Sequence, residues 1–285
     1  MSATAPSGQG PTPGARTTPS EQDLALAPET GTGTLRLELA RRLVAEALGT
    51  AFLVAAVIGS GIMATQLSPD DVGLQLLENA FAIMGALIGL ILVFATVSGA
   101  HFNPVVTVLD RLFGTTTTGD AVAYICAQVL GGCAGAVLAN LMFELPAVEL
   151  STKVRSSPAL WLSEVVATVG LLLVIHGCVR TGRASVVPFA VGLWIGAACW
   201  FTSSTSFANP AVTIARALSD TFTGIAPSSV PPFVVAQVLG MFIAWGLILF
   251  LFPHPTGAPA GAAAQSSGAP TEHSTTAAPE PEETP

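Results

Sequence analysis

The chain has 285 residues, of which 51% are hydrophobic and 10% charged, and its formal net charge is −8. An ordinary soluble domain carries about 25% charged residues, so this composition excludes the common water-soluble classes and points to a lipid bilayer as solvent. Its ten Lys and Arg are scattered, which excludes a nucleic-acid-binding face, and Glu272, Glu280, Glu282 and Glu283 place much of the acidic charge at the C-terminal end.

Residues 1–35 are rich in Ser, Thr, Pro, Gly and Ala and lack hydrophobic periodicity, so they are expected to be a disordered tail. No positive stretch runs directly into an apolar core there, which argues against a signal peptide. The first apolar run, 43–64, carries Ala45-Glu46-Ala47-Leu48-Gly49-Thr50. A second run covers 80–97 and leads into Ser98-Gly99-Ala100-His101-Phe102-Asn103-Pro104-Val105. The third run, 121–143, contains Ala127-Gln128-Val129-Leu130-Gly131. A fourth, 159–179, contains Ser163-Glu164-Val165-Val166-Ala167-Thr168. The fifth, 184–201, is followed by Ser206-Phe207-Ala208-Asn209-Pro210-Ala211-Val212, and the sixth, 232–252, contains Ala236-Gln237-Val238-Leu239-Gly240. Residues 254–285 again lack periodicity and are expected to be a second disordered tail. Each run approaches the ~20 residues a helix needs to cross ~30 Å of hydrocarbon. Backbone groups in lipid must satisfy one another, so helices are the expected form.

The landmarks recur in order. Glu followed by Thr four residues on, an Asn-Pro segment, and Ala-Gln-Val-Leu-Gly each appear once in 36–145 and once in 158–253. Three crossings per half make the second half enter from the opposite side, so the halves are inverted repeats with a pathway between them. Six crossings place both termini on one side. With that side cytoplasmic, the inner segments hold Arg16, Arg36, Arg41, Arg42, Arg111, Arg180 and Arg183, and the outer ones Lys153, Arg155 and Arg216; this asymmetry favours cytoplasmic termini.

Each Asn-Pro segment is followed by a short apolar stretch ending near Leu112 or Leu218. Ten helical residues span only ~15 Å, half a bilayer. Proline suits the first helical position and Asn the cap before it. Asn103-Pro104-Val105 and Asn209-Pro210-Ala211 therefore read as starts of two re-entrant half-helices meeting at the membrane centre. Two helix N-termini aimed at one spot repel cations, and the amides of Asn103 and Asn209 offer hydrogen bonds to a passing neutral solute.

Six helices, the opposed Asn-Pro segments, Ala-Glu-x-x-Gly-Thr and Ser-Gly-Ala-His-Phe-Asn-Pro together resemble the aquaporin, or major intrinsic protein, family over roughly residues 36–252. The resemblance implies an all-α membrane channel with one pore per subunit, a homotetramer in the plasma membrane, and no cofactor. Val105 stands where that family usually has Ala. Val212 stands where most members have an arginine that narrows and charges the outer constriction. Arg216 lies four residues on and is expected to face the external end of the half-helix or loop contacts. Spacing within the family pattern places the remaining filter positions at Ile83, Ser206 and either Cys199 or Ala197. Without Arg, His or an aromatic group, this filter implies a wide, apolar constriction admitting water, glycerol and undissociated arsenite, as in aquaglyceroporin-like or metalloid-channel-like members.

Glu46 and Glu164 are costly in lipid and have two readings: proton-coupling groups of a transporter, or acceptors that hold the re-entrant loops. The symmetry of the repeat favours the second. His101 is read as a loop anchor rather than a titrating gate, Gln128 and Gln237 as interhelical hydrogen-bonding groups, and His176 has no evident role. Cys126, Cys133, Cys178 and Cys199 lie in apolar runs without metal-ligand spacing. No nucleophile with its base and no phosphate-cradling loop is present, so an enzyme is not expected. The competing classes are a proton-coupled secondary transporter, a water-only channel, and a structural membrane protein with an occluded pore.

Overall fold

The structure is a computed structural model that describes residues 32–253. The two expected tails fall outside these residues, except that the first helix begins at Thr32, inside the stretch assigned to the N-terminal tail. The helices in chain order are α1 (Thr32–Leu67), α2 (Val72–Ser98), α3 (Pro104–Leu112), α4 (Thr118–Met142), α5 (Pro158–Arg180), α6 (Val187–Phe201), α7 (Pro210–Ala215) and α8 (Val230–Leu251). A 3₁₀ turn at Ala184–Val186 leads into α6, another at Arg216–Leu218 continues α7, and a third at Pro227–Ser229 precedes α8. Six of these segments are long and apolar enough to cross a membrane; α3 and α7 are the two short ones.

The half-helices start where local chemistry starts them. Asn103 and Asn209 are the N-caps, both extended, with φ of −154°. Asn103 Oδ1 accepts from the Val105 N–H at 3.1 Å, and Asn209 Oδ1 from those of Ala211 (2.9 Å) and Val212 (3.3 Å). Pro104 and Pro210 follow at the first helical position, where a missing N–H costs nothing. The membrane-crossing helices are capped similarly at their polar ends, by Asp71 for α2, Thr117 for α4 and Ser157 for α5.

Close helix approach is made by small residues. A Cβ on Gly131 or Gly135 of α4 would fall 2.2 or 2.1 Å from the carbonyl oxygens of Ala47 and Ala51 in α1. Gly240 of α8 lies against Val165 of α5 in the matching place of the second half, its added Cβ 2.8 Å from that carbonyl oxygen. The outward faces carry large apolar side chains, with Phe81 69%, Leu130 71% and Phe250 81% exposed. Such faces are stable only against lipid or another protein surface.

Candidate functional site

The two loops that lead into α3 and α7 run through unusual backbone. Gly99, Ala100 and Phe102 have φ of 87°, 51° and 49°, and Thr205, Ser206 and Ala208 have 61°, 50° and 47°. Left-handed conformations at non-glycine residues cost roughly 1–2 kcal/mol each, so something must hold them. The buried carboxylates do so. Glu46, fully buried in α1, accepts from the N–H groups of His101 (3.0 Å) and Phe102 (2.8 Å), from Ser98 Oγ (2.6 Å) and from Gln128 Nε2 (2.8 Å). Glu164, equally buried in α5, accepts from the N–H groups of Phe207 (2.9 Å) and Ala208 (2.8 Å) and from Gln237 Nε2 (2.7 Å). Each glutamine also reaches a threonine of the adjacent half-helix at 2.9 Å: Gln128 to Thr107 and Gln237 to Thr213. Four donors on Glu46 and three on Glu164 tie both carboxylates to the loops they hold.

The loops are also stitched to one another. Asn103 Nδ2 donates to the Ala208 carbonyl and Asn209 Nδ2 to that of Phe102, both at 2.8 Å. A side-chain amide carries two N–H groups, so one per Asn is spent on the partner loop and one remains. With the loop N–H groups taken by the glutamates, the carbonyls of Gly99, Ala100, His101, Ser206 and Phe207 have no donor among the described residues. All five residues lie on the wall of one cavity. They supply acceptors to whatever fills it.

That cavity, about 780 Å³, runs from Thr115, Arg180 and Ser185 at the end nearer the start of α1 to Ile83, Ile195, Val212 and Arg216 at the opposite end. Its apolar wall is built by stripes of helical period: Ile83, Leu87 and Ile91 from α2, and Val187, Val191 and Ile195 from α6. Asn103 and Asn209 lie on the wall between the two ends, so the polar groups form a track along one side of an otherwise apolar tube.

Of the filter positions expected from spacing, Ile83, Ser206 and Val212 lie on this wall. Ala197 does not: it is exposed on the outer face of α6, beside Leu193 and Trp194. Cys199 is buried in the adjoining apolar core, and Ile195 is the last α6 residue on the cavity wall. Pro104, Val105, Pro210 and Ala211 are buried beneath the loop junction. Among the wall residues to which the sequence gave no place in the cavity are Asp110, His176 and Arg216. Asp110 of α3 brings His101 and His176 together, its carboxylate 3.0 Å from His101 Nε2 and 3.7 Å from His176 Nε2, and His101 Nδ1 also meets Thr107 Oγ1 at 3.1 Å. Thus His176, which had no evident role, faces the inner part of the cavity. The third is Arg216, expected at loop contacts: its Nε does donate to the Thr223 carbonyl, but the side chain is buried and lines the cavity.

The connection between α4 and α5 covers the outer end. Arg155 Nε donates to the Gly224 carbonyl at 2.9 Å, and Asp220 accepts from the Thr152 N–H at 2.9 Å. Lys153 Nζ donates to the Phe222 carbonyl at 2.7 Å. Desolvation, with Arg155 and Arg216 nearby, pushes Lys153 down to about 8, so it carries its charge below that pH and loses it above. No group of three His, Cys, Asp or Glu suited to a metal occurs among the described residues.

Comparison with known proteins agrees with this geometry. The family model described as "Major intrinsic protein" matches residues 34–206 and 180–277. The chain is 51% identical over 214 residues to aquaglyceroporin AqpS of Rhizobium meliloti (strain 1021), covering 75% of this chain and 91% of that one. It is 29% identical over 241 residues to aquaporin Z of Bradyrhizobium diazoefficiens, covering 79% and 98%. The X-ray structure of the aquaglyceroporin from Plasmodium falciparum superposes with a TM-score of 0.60 at 22% identity, over 74% of this chain and 95% of that one, and so shares the fold. A tube walled by apolar stripes, two half-helices stitched by their capping asparagines, and these matches have one reading: the chain is a passive multi-pass membrane channel, not an enzyme, and belongs to the major intrinsic protein family.

Proposed function

We propose that this channel passes glycerol-sized neutral polyols and undissociated arsenite, As(OH)₃, as well as water. The observation that carries the reading is the cavity's outer end, where Ile83 and Val212 present aliphatic side chains at the positions to which the family resemblance assigns an aromatic and an arginine, with Ile195 on the same wall. A three-carbon polyol needs room for a carbon edge against apolar wall and acceptors and donors along its hydroxyl edge. The aliphatic stripes supply the first. The free loop carbonyls and the second N–H of Asn103 and Asn209 supply the second. Arsenous acid is neutral at pH 7 and presents three hydroxyls in a similar volume. The amides and opposed half-helix N-termini disfavour cations at the centre. The same reading makes the assembly a homotetramer in the plasma membrane, with one pore per subunit and both termini in the cytoplasm.

Stopped-flow light scattering on proteoliposomes under glycerol, arsenite and sucrose gradients tests the solute range. Glycerol and arsenite should equilibrate far faster than in empty liposomes. Val212→Arg should cut glycerol flux by about tenfold or more while retaining water flux, because a guanidinium at that position fills the constriction. Water flux without glycerol or arsenite flux in the wild type sinks the proposal.

A further inference from the structure

We infer that Arg216, displaced one helical turn from the position where the family usually carries its filter arginine, supplies the cation-excluding, hydrogen-bond-donating group of the outer constriction. The geometry starts from helical periodicity. Residues four apart share a helix face, so Arg216 stands on the same face as Val212, one turn further out. Side chains on a helix lean toward its N-terminus, which here is the membrane centre. A long arginine side chain therefore folds back toward the turn that Val212 occupies, whereas a short one would stay in the mouth. Both residues do lie on the cavity wall, with Ser206 and Phe207 beside them.

The guanidinium is held and yet incompletely used. Its Nε donates to the Thr223 carbonyl, and its central carbon sits 3.4 Å from the centroid of the Phe207 ring. Arg155 lies over the same ring, at 5.2 Å, so the aromatic plane positions two cations at the outer end. Neither arginine forms an ion pair with a carboxylate among the described residues. Of the five N–H donors of Arg216, only the one on Nε has an acceptor among the described residues. The nitrogens carrying the other four keep some accessible surface, although the residue as a whole is only 4% exposed. A buried cation with no paired carboxylate is costly, and Arg216 lines the cavity along which its remaining donors can be used.

The chemical consequence is a planar fork of donors facing the pore. It suits solutes that offer two oxygen atoms side by side, such as a vicinal diol or an undissociated oxyacid, and it repels alkylammonium ions. Val212 widens the constriction without removing its charge. The inference rests on the channel reading above but is separate from it: size is set at Ile83 and Val212, charge at Arg216.

The test uses full-length protein in liposomes, with Arg216→Gln and Arg216→Lys beside the wild type. Glutamine removes the charge and keeps a donor for Thr223; lysine keeps the charge and loses the fork. Monodisperse elution and an unchanged helical circular-dichroism spectrum check the fold of each. Glycerol and urea uptake are read by light scattering, and methylammonium uptake by radiotracer. The wild type is expected to exclude methylammonium. Arg216→Gln should raise methylammonium flux at least tenfold, and Arg216→Lys should keep it excluded while lowering the glycerol-to-urea ratio severalfold. If the glutamine variant does not fold, the lysine variant's glycerol-to-urea ratio decides alone. Wild-type ratios in the folded variants overturn the assignment of Arg216. Absence of glycerol flux in the wild type overturns the solute reading instead, and the methylammonium comparison still judges Arg216.

Discussion

Replacing Glu46 or Glu164 with alanine leaves the N–H groups of His101 and Phe102, or of Phe207 and Ala208, without acceptors in loops where Phe102 and Ala208 are already left-handed. Each orphaned buried donor costs about 1–3 kcal/mol, so either variant is expected to lose several degrees or more of melting temperature in detergent and most of its glycerol flux. The same two residues separate a channel from a coupled transporter. Glycerol uptake by the wild type should be indifferent to an imposed proton gradient, since both carboxylates are engaged in holding the loops; gradient-driven accumulation would refute that structural role. His101 has its own anchor in Asp110 and Thr107, consistent with the loop-holding role read from the sequence. The pairing with His176 depends on α3 and α5 meeting, which local sequence does not display.

At the scale of elements, the bundle depends on how closely α4 approaches α1 and α8 approaches α5. Gly131 and Gly135 touch the backbone of α1, and that contact aligns Gln128 with Glu46 and Thr107. A single methyl group at Gly131 has nowhere to go, because the obstructing atom is a backbone carbonyl rather than a movable side chain. Gly131→Ala is expected to destabilise by about 1–3 kcal/mol through overpacking, read as a lowered melting temperature and loss of glycerol flux together. Gly85→Ala is the matched control: nothing lies within 4 Å of the added Cβ on α2, and a helix interior gains about 0.5–1 kcal/mol when Gly becomes Ala. An equal loss in both variants would mean that the α1–α4 contact is not what Gly131 provides.

For the whole molecule, six crossings bring the start of α1 and the end of α8 out on one side. The cationic residues Arg36, Arg41 and Arg42 at the start of α1, with Arg111, Arg180 and Arg183, lie toward that side, and Lys153, Arg155 and Arg216 toward the other. In the proposed topology the positive-inside rule makes the first of these sides the cytoplasmic one. A protease-cleavable tag on either terminus should resist protease added to intact cells or right-side-out vesicles and be cut in inside-out ones; the opposite pattern would reverse the outer and inner ends of the pore. The exposed apolar belt, including Phe81, Leu130 and Phe250, is the surface that lipid or neighbouring subunits cover.

Much of this architecture was legible in the chain by itself, because its causes are local or repeated. Long apolar runs must be helices in lipid, and all six appear, although the first two begin eleven and eight residues before the apolar runs at 43 and 80. Asn before Pro sets a helix start by capping chemistry alone, and the duplication of Glu, Asn-Pro and Ala-Gln-Val-Leu-Gly announced the inverted halves. Tertiary structure decided what depends on distance between segments: that the two asparagines spend one donor each on the opposite loop, and that Asp110 joins His101 to His176. It also decided which α6 residue reaches the wall. Counting left Cys199 or Ala197 open, because a loop of altered length shifts the register; helical phase turns Ala197 outward and keeps Cys199 on the face of Ile195, buried in the same apolar core. Arg216 is a further case. The half-helix that puts it on the face of Val212 is local, but that its buried side chain lines the cavity as well as meeting a loop depends on how Phe207 and Thr223 pack around it.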